Sequence, residues 1–361
     1  MFENHSNYSS LTSVVIPAHN AERFIERTLQ SALRQTWNNL EILVVDDGST
    51  DKTKSIVEAV ALTDQRIRIF SLPNGGVASA RNIGLAHARG EFVAFLDADD
   101  LWHPSKIEMQ VAALKSASNA AASYVMFRGI DRFDRVTGNQ NAVGISGYTL
   151  AHHLYSKPVG NGSSLLVRRE VAIEVGGYDP SWAARGIGGC EDYDFELKII
   201  ARYPVVFVRK YLLGYRSYPG NMSSNYTRMA LGLIATVDQH LRCNNGLPAW
   251  LVRKVTAKTM EFAIAYFFSG RHFTRLFACL FRLFLADPIA GATSVLTISK
   301  RVYAYVFDVK PTKSTNGQPR FSDMSPDEGV VAYKSTRQEQ KTWKRIAELD
   351  LALASQKQIR P

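Results

Sequence analysis

The chain has 361 residues, 46% of them hydrophobic and 21% charged. These values are ordinary for a globular protein, and the length allows one large domain with a further segment attached. The net charge of +10 would suit nucleic acid, an anionic membrane surface or a phosphorylated substrate. No recognised nucleic-acid motif accompanies it, so we expect no nucleic-acid partner.

Cysteine spacing and apolar run lengths bear on the compartment. Cys190, Cys243 and Cys279 are too widely spaced to predict a disulfide framework or a zinc site, which favours a reducing compartment. Residues 1–11 lack the apolar core of a signal peptide, and no uninterrupted apolar run reaches the ~18–20 residues of a membrane-spanning helix. We therefore expect a cytoplasmic protein.

Strand and helix patterns alternate over the first hundred residues. Strands are predicted at residues 13–16, 40–45, 66–70 and 92–96, and helices between them at residues 21–33, 52–61 and 77–89. The helical segments repeat their apolar residues at helical spacing. This alternation with short loops predicts a doubly wound α/β layer.

Polar clusters follow three of these strands, at residues 17–20, 46–47 and 97–100. In such sheets ligands bind beyond the carboxyl ends of the strands. The last cluster holds Asp97, Asp99 and Asp100 directly after a buried run, where like charges repel and raise one another's pKa. A divalent cation would relieve this repulsion. The alternative is an acidic turn that caps the next helix.

The remaining chain is more varied. A helix follows Pro104, and strands are predicted at residues 124–127, 161–168, 205–209 and 212–218, while residues 131–148 have no clear pattern. A glycine-rich loop at residues 185–189 leads into a helix that begins near Glu191 and Asp192. Residues 229–307 are predicted to be helical, residues 310–328 a polar linker, and residues 338–355 a last helix.

Five motifs occur in a specific order. They are VVIPAHN (14–20), EILVVDDGSTD (41–51), NGGVASARNIGLAHARGEFVAFLDADD (74–100), GGYDP (176–180) and CEDYD (190–194). In order and spacing this set resembles the family 2 glycosyltransferases of the GT-A fold. The resemblance implies an α/β, Rossmann-like mixed sheet with a C-terminal helical appendage. We accordingly expect a catalytic domain at 12–225, a helical region at 229–307, and a linker with a terminal helix at 308–361.

The resemblance also implies the reaction. A sugar would pass from a nucleotide-diphosphate donor, expected to be a UDP-sugar, to a hydroxyl of a saccharide or lipid-linked acceptor, with inversion. The cofactor would be a divalent metal, Mn²⁺ or Mg²⁺, and the setting polysaccharide or glycolipid assembly.

Residue by residue, the resemblance assigns the following roles: Pro17, His19 and Asp47 to the nucleotide base, Arg81 and Asn82 to the same pocket, Asp97 to the ribose or a metal-bound water, Asp99 to the metal, and Asp192, with Glu191 beside it, to the general base. Three of these positions have structural alternatives. His19 could be an ordinary loop residue, Asn82 a helix-start residue and Asp192 the N-cap of its helix.

Two departures from the family pattern stand out. Tyr218 occupies a position where many members place a metal-binding histidine, and a protonated phenol is a poor ligand, which leaves the third protein ligand undetermined. The Q-x-x-R-W signature of processive synthases is absent, so we expect one sugar to be added per encounter.

Three other classes of protein share some of these sequence features or the general fold. A catalytically inactive scaffold of the same fold would keep the motifs without turnover. An aspartyl phosphohydrolase also places D-x-D after an apolar strand, but nearer the N-terminus. A dinucleotide-dependent dehydrogenase would need G-x-G-x-x-G after the first strand, which is missing.

The segment at residues 271–285 predicts a basic amphipathic helix. On a helical wheel Arg271, Arg275 and Arg282 cluster, and the large apolar residues Phe273, Leu276, Phe277, Leu280, Phe281 and Phe284 lie on the opposite half. Such a helix can lie in a membrane interface, which predicts peripheral contact with the cytoplasmic face of a membrane. Alternatively, the apolar half packs on the catalytic domain.

Overall fold

Nine strands form one mixed sheet in the computed structural model, which describes residues 10–140, 144–292, 294–295, 317–328 and 337–358. The strands are β1 (Thr12–Ala18), β2 (Leu40–Asp47), β3 (Ile67–Leu72), β4 (Phe92–Phe95), β5 (Leu101–Trp102), β6 (Ala122–Ile130), β7 (Val136–Asn139), β8 (Leu166–Arg168) and β9 (Val205–Arg216). Their order is β3-β2-β1-β4-β8-β6-β9-β5, and β7 pairs with β6.

Helices cover both faces of the sheet and extend beyond it. They are α1 (Ile25–Leu33), α2 (Thr53–Ala61), α3 (Val77–His87), α4 (Lys106–Ser116), α5 (Leu150–Ser156), α6 (Arg169–Glu174), α7 (Ser181–Ala184), α8 (Glu191–Ile200), α9 (Tyr226–Cys243), α10 (Ala249–Ser269), α11 (Phe273–Ala286) and α12 (Arg337–Gln358). This architecture confirms the predicted α/β class with a helical C-terminal part.

The parallel half of the sheet consists of β3, β2, β1 and β4. Its central strands are buried on both faces, which explains their nearly continuous apolar sequence. Alternate residues of β1 serve two cores: Val14 packs with residues of α1 and α2, and Val15 packs with residues of α3 and α8. A Cβ on Gly84 would lie 2.2 Å from Val15 Cγ1, so this glycine allows α3 to approach β1 closely.

The sheet becomes antiparallel at β8, and here one strand prediction is wrong in part. Of the predicted strand at residues 161–168, only Leu166–Arg168 pairs in the sheet, and Gly162–Ser164 form a 3₁₀ turn. This turn directs the hydroxyls of Ser163 and Ser164 into the interior, where they bond to Asp100 and to the backbone of Val125. The predicted pair of strands at 205–218 is one strand, β9, with shifts in its pairing to β6.

The C-terminal helices pack against α5 and α8 and against each other. Helices α9, α10 and α11 share a separate apolar cluster. Helix α12 packs on α5, where the Asp350 carboxylate accepts hydrogen bonds from the backbone N–H groups of Ala151 and His152. None of the described helices is long and apolar enough to cross a bilayer. The part of the predicted helical region after residue 295 lies outside the described residues.

Residues 317–328, predicted to belong to a polar linker, are docked on the sheet. Phe321 is buried in a cluster with Leu101, Ile130 and Val136, and Arg128 Nη2 donates to the carbonyls of Ser325 and Glu328. The polar sequence therefore supplies backbone partners for the edge formed by β5, β7 and β9. The preceding residues 310–316 lie outside the described part.

Candidate active site

The carboxyl ends of β1, β2 and β4 meet at one edge of the sheet, and all three polar clusters lie there. Ala18 pairs with Asp46 across β1 and β2, and Val15 pairs with Phe95 across β1 and β4. The Thr28 hydroxyl of α1 donates to the carbonyls of Ala98 and Asp100, which fixes the acidic loop against the first helix. The predicted convergence of the clusters is confirmed.

Asp47 anchors the loop that precedes α3. Its carboxylate is buried and accepts hydrogen bonds from the backbone N–H groups of Gly75 at 2.7 Å and Gly76 at 2.9 Å. Gly76 has φ +85°, a conformation that glycine adopts without strain. Since each carboxylate oxygen has a second lone pair, Asp47 can still accept from a ligand.

His19 and Pro17 lie beside Asp47. The His19 ring is exposed, and its Nδ1 is 2.8 Å from the carbonyl oxygen of Asp47, to which it donates in the matching tautomer. The Asn74 amide nitrogen is 3.2 Å from the same ring atom. Pro17 is buried within β1 opposite Val45. This end of the sheet therefore presents an exposed ring above a buried carboxylate.

Asp100 serves the structure of the acidic loop. It is fully buried and accepts hydrogen bonds from the Ser163 hydroxyl at 2.7 Å and the Arg216 backbone N–H at 2.9 Å. Burial, followed by the charges of Asp99 and Asp97, raises the pKa of Asp100 well above its usual range. Ser163 Oγ also accepts from the Asp97 N–H. Asp100 thus holds the loop on β9 and the 3₁₀ turn.

Of the two carboxylate oxygens of Asp99, one accepts a hydrogen bond from another residue in the described part of the chain. Its Oδ2 accepts from the Tyr218 hydroxyl at 3.0 Å. Burial and the Asp97 charge raise the pKa of Asp99 to about 6. Burial also raises the pKa of Tyr218, so this phenol stays protonated and acts as a donor. The Tyr218 hydrogen bond and the Arg216 charge lower the pKa of Asp99 only in part, so its charge is incompletely compensated.

Arg81 connects Asp97 to the far side of the site. Its guanidinium is buried, forms an ion pair with Asp97 at 2.5 Å and lies 4.9 Å from the centre of the Tyr178 ring. Burial alone would lower the pKa of Arg81, but Asp97, Tyr178 and Asp192 raise it. The guanidinium therefore stays charged and interacts with both Asp97 and Asp192.

Asn82 has a clear structural role. Its amide donates to the Tyr178 carbonyl at 2.8 Å and accepts from the Tyr178 N–H at 2.9 Å. It lies within α3 rather than at its start. The side chain therefore holds the loop of residues 176–180, and with it the ring on which Arg81 rests.

Asp192 lies in the first turn of α8, whose N-cap is Cys190. Its Oδ1 accepts from the adjacent Tyr193 N–H. Burial raises the pKa of Asp192, and the charges of Lys157 and Arg81 oppose that rise. Asp192 is thus not the N-cap, and its carboxyl is shifted towards the pKa of a general base.

Glu191 points the other way along the chain. Its Oε2 accepts from the Gly189 N–H at 2.7 Å, and the side chain is buried. It therefore secures the glycine-rich loop that precedes α8. Burial raises the pKa of the neighbouring Cys190 thiol to about 11, which suits a packing residue rather than a nucleophile.

Several functional neighbours were missed by sequence reasoning. Lys157 directly follows α5 and has φ +51°. It places a positive charge near Asp192 that lowers the pKa of this acid. Ser163 joins the acidic loop to the 3₁₀ turn, and buried Arg216 donates to the Asp99 carbonyl. None of these three forms a motif with the acids it serves, because each comes from a distant strand or turn. Among the neighbours of the acids, Tyr218 could be identified from the sequence, because it occupies a known position in the family pattern.

The donor set fits a divalent metal whose ligands are partly supplied by substrate. Within the described residues no group of three or more His, Cys, Asp and Glu side chains is arranged to hold a metal ion. Mg²⁺ commonly binds through one or two carboxylates together with phosphates and water. Asp99, with an incompletely compensated charge and a raised pKa, is a side chain of that kind.

Comparisons with known proteins agree with the motifs. Residues 13–176 match the Glycosyl transferase family 2 model. An uncharacterized glycosyltransferase of Rickettsia typhi is 31% identical over 219 residues, covering 58% of this chain and 64% of the relative. The hyaluronan synthase of Pasteurella multocida is 36% identical over 129 residues, covering 36% of this chain and 13% of that enzyme. The chain thus spans less than two thirds of the length of these relatives.

Solved structures share the fold at low sequence identity. TarS residues 1–349 of S. aureus, in complex with UDP-GlcNAc, has a TM-score of 0.58 at 17% identity, covering 90% of this chain and 99% of that one. The mannosyltransferase PcManGT of Pyrobaculum calidifontis, in complex with GDP-Man and Mn²⁺, has a TM-score of 0.51 at 20% identity, covering 84% and 89%. Residues 13–176 are thus similar to glycosyltransferase family 2, and the chain shares the GT-A fold of these solved structures.

Proposed function

We propose that this chain is an inverting, non-processive glycosyltransferase that moves one sugar from a nucleotide-diphosphate donor to an acceptor hydroxyl. The observation that carries the proposal is the shared edge of the sheet. There, Asp99 with its incompletely compensated charge and Asp192 with its raised pKa are joined through Arg81 and Asp97. A transferase needs these two functions, one on the leaving group and one on the attacking hydroxyl, in a single site.

The nucleotide would bind at the ends of β1 and β2. Asp47 would accept from the ring N–H of the base, and His19 and Pro17 would contact its face and edge. Arg81 would hold Asp97, which would meet the ribose or a metal-bound water, and Asn82 would line the pocket through the loop that it fixes. The UDP-GlcNAc bound to TarS supports a UDP-sugar, while the GDP-Man bound to PcManGT is the alternative.

Asp99 would hold Mn²⁺ or Mg²⁺ on the donor diphosphate. When bound, such an ion neutralises the charge that builds on the leaving group. Tyr218 orients the Asp99 carboxylate through its hydroxyl. The Mn²⁺ in the PcManGT structure supports a divalent cofactor for this fold.

Asp192 would take the proton of the acceptor hydroxyl. As the hydroxyl oxygen attacks the anomeric carbon from the face opposite the leaving group, the bond to the diphosphate oxygen breaks and the nucleoside diphosphate departs with its electron pair. The proton passes to a carboxylate oxygen of Asp192. A pKa raised by burial brings this base closer to the working pH.

Polysaccharide or glycolipid assembly at the cytoplasmic face of a membrane is the proposed setting. The match to hyaluronan and chondroitin synthases of Pasteurella multocida supports a saccharide acceptor. Helix α11 supports peripheral membrane contact, because its apolar residues divide between two faces. Leu276, Leu280 and Leu283 are buried, whereas Phe277 and Phe281 are 65% and 66% exposed.

Replacing the base tests the mechanism. Asp192→Asn keeps the shape of the side chain but cannot accept a proton, so turnover should fall by roughly two to four orders of magnitude. Donor binding should stay close to that of the wild type. The measurements are sugar transfer and hydrolysis from UDP-GlcNAc and other UDP-sugars, with thermal unfolding in the presence of the donor.

Glu191→Gln is the control variant. Because a glutamine amide oxygen can still accept from the Gly189 N–H, the loop should keep its anchor and turnover should change much less. Normal turnover by Asp192→Asn with an inactive Glu191→Gln would transfer the role of base to Glu191. A wild-type protein that binds UDP-sugar tightly without transfer or hydrolysis would be an inactive scaffold.

A further inference from the structure

A cavity of about 550 Å³ lies between the loop after Tyr218 and the connection from α10 to α11. Its lining consists of Gly220, Asn221, Met222, Ser224, Asn225, Tyr226, Thr227, Arg228, Gly270 and His272. We propose that this cavity binds the phosphate of a lipid-linked acceptor, whose hydrocarbon chain lies on the exposed face of α11. The inference rests on the proposed function and names its acceptor class.

The cavity borders both halves of the catalytic site. Gly220 follows closely after Tyr218, whose hydroxyl bonds to Asp99. Arg228 packs on Gly188, where a Cβ would lie 2.5 Å from its Nε. Gly188 belongs to the loop that leads to Asp192. The cavity is thereby linked to Tyr218 on one side and to the loop that precedes Asp192 on the other.

The lining favours an anion. It contains the Arg228 guanidinium and the His272 imidazole but no carboxylate. Arg228 lines the cavity, and a guanidinium forms strong charge-assisted hydrogen bonds with phosphate oxygens. Tyr226 and Thr227 belong to the first turn of α9, an 18-residue helix. The backbone N–H groups of such a turn also favour a negative charge.

An apolar strip begins at the rim of the cavity. His272 lines the cavity and directly precedes Phe273, the first residue of α11. The phenylalanine strip, as we call it, consists of exposed side chains on one side of this helix: Phe273, Phe277, Phe281, Phe284 and Leu285. At 1.5 Å per residue it extends for about 18 Å.

The combination identifies an amphiphile. A phosphate in the cavity places the rest of the molecule at Phe273, where only an apolar chain gains free energy by covering exposed phenylalanines. A free sugar phosphate would use the cavity and leave the strip bare. A lipid phosphate uses both, and at a membrane surface the strip would enter the same lipid phase as the chain.

Binding of a short lipid phosphate tests the proposal without requiring catalysis. The probes are farnesyl phosphate below its micelle concentration, farnesol with the same chain, and glycerol 1-phosphate with the same charge. Titration calorimetry on the full chain should show farnesyl phosphate binding at least about tenfold more tightly than either partial probe.

Variants separate the two parts of the site. Arg228→Gln should weaken farnesyl phosphate by about tenfold or more, the scale expected on losing a charge-assisted hydrogen bond. The double variant Phe277→Ser/Phe281→Ser should bring farnesyl phosphate down to the level of glycerol 1-phosphate. Arg242→Gln, an exposed position near the other end of α9, should bind like the wild type.

Three results would overturn the proposal. Wild-type affinity in Arg228→Gln would remove the cavity from recognition, and equal binding of glycerol 1-phosphate and farnesyl phosphate would remove the lipid. Displacement of farnesyl phosphate by UDP would assign the cavity to the donor. If the chain transfers no sugar at all, the proposed function fails, while this binding measurement stands on its own because its probes contain no nucleotide.

Discussion

The acidic edge of the sheet and the phenylalanine strip of α11 both leave an interaction unsatisfied, but they do so in different ways. At the edge, Asp99 is half-buried and held by Tyr218, so its charge is presented in one geometry. Along the strip, Phe277 and Phe281 extend into solvent with most of their surface exposed. Fixed charges suit one ligand in one pose, whereas exposed rings suit any apolar surface. We therefore propose the first region for chemistry and the second for attachment.

The largest expected effect comes from removing the charge at the edge. Asp99→Ala should abolish metal-dependent donor binding. In wild-type protein a UDP-sugar at about 100 times its dissociation constant should stabilise the fold by about 2.7 kcal/mol, and the metal-dependent part should vanish in the variant. Thermal unfolding with donor, with and without Mn²⁺, measures this.

Glu91→Ala is the control for that prediction. Glu91 lies at the opposite end of β4, is exposed and pairs only weakly with Arg168 at 3.4 Å, so its loss should leave donor binding unchanged. Full transferase activity in Asp99→Ala, or activity that chelators do not affect, would end the metal assignment.

The two faces of α11 should respond in opposite ways. Leu283→Ala creates a cavity among buried residues and should lower the free energy of unfolding by roughly 2–5 kcal/mol, with little effect on lipid contact. Phe281→Ser, at a side chain that is 66% exposed, should leave stability nearly unchanged and weaken sedimentation with anionic vesicles.

High salt should also weaken vesicle binding. The effect should be smaller than expected if Arg271, Arg275 and Arg282 all contributed their full charge. Arg282 pairs with Asp238 at 3.2 Å, which offsets part of its charge. Wild-type protein that stays in the supernatant at low salt would contradict membrane contact and leave the strip to another partner.

The acidic edge should also make the metal-free fold sensitive to pH. Burial, followed by the Asp97 charge, raises the pKa of Asp99 from 3.8 in the unfolded reference to about 6 in the folded protein. The folded state therefore binds more protons between these values. The free energy of unfolding should fall as pH rises through this window, by at most about 3 kcal/mol at 1.36 kcal/mol per pKa unit.

Urea unfolding with EDTA at several pH values measures that dependence. Asp99→Asn cannot titrate at this position, so its curve should fall less steeply between about pH 4 and pH 6. Identical slopes in the wild type and Asp99→Asn would show that folding does not raise the pKa of Asp99.

The smallest expected effect concerns the ligand at residue 218. A protonated phenol coordinates poorly, whereas imidazole is a good ligand for first-row metals. Tyr218→His should therefore raise Mn²⁺ affinity by about tenfold, or about 1.4 kcal/mol. Tyr218→Phe removes the hydroxyl without adding a ligand, so a comparable gain in this variant would contradict the explanation. Calorimetric titration with Mn²⁺ in the presence of UDP compares the three proteins.

Much of the sheet could be predicted because its signals are local. The strands β1, β2 and β4 are apolar runs that stop at polar clusters, and parallel strands bring those ends together. The same logic failed at residues 162–164, because an inward-facing serine reads as an ordinary polar residue until Asp100 is placed opposite it. Similarly, nothing near Asn82 in the chain reveals that its amide is used by Tyr178.

The sequence by itself determined the resemblance to a family, the α/β class and the edge on which the acids gather, because motif order and hydrophobic period are properties of neighbouring residues. Only the tertiary structure decided how each acid is used. Asp100 accepts hydrogen bonds from Ser163 and Arg216, which belong to distant segments. Glu191 accepts from the Gly189 N–H of the loop just before it. The tertiary structure also divided the apolar half of α11 into a buried leucine face and an exposed phenylalanine strip, because helices α9 and α10 can cover only one side of it.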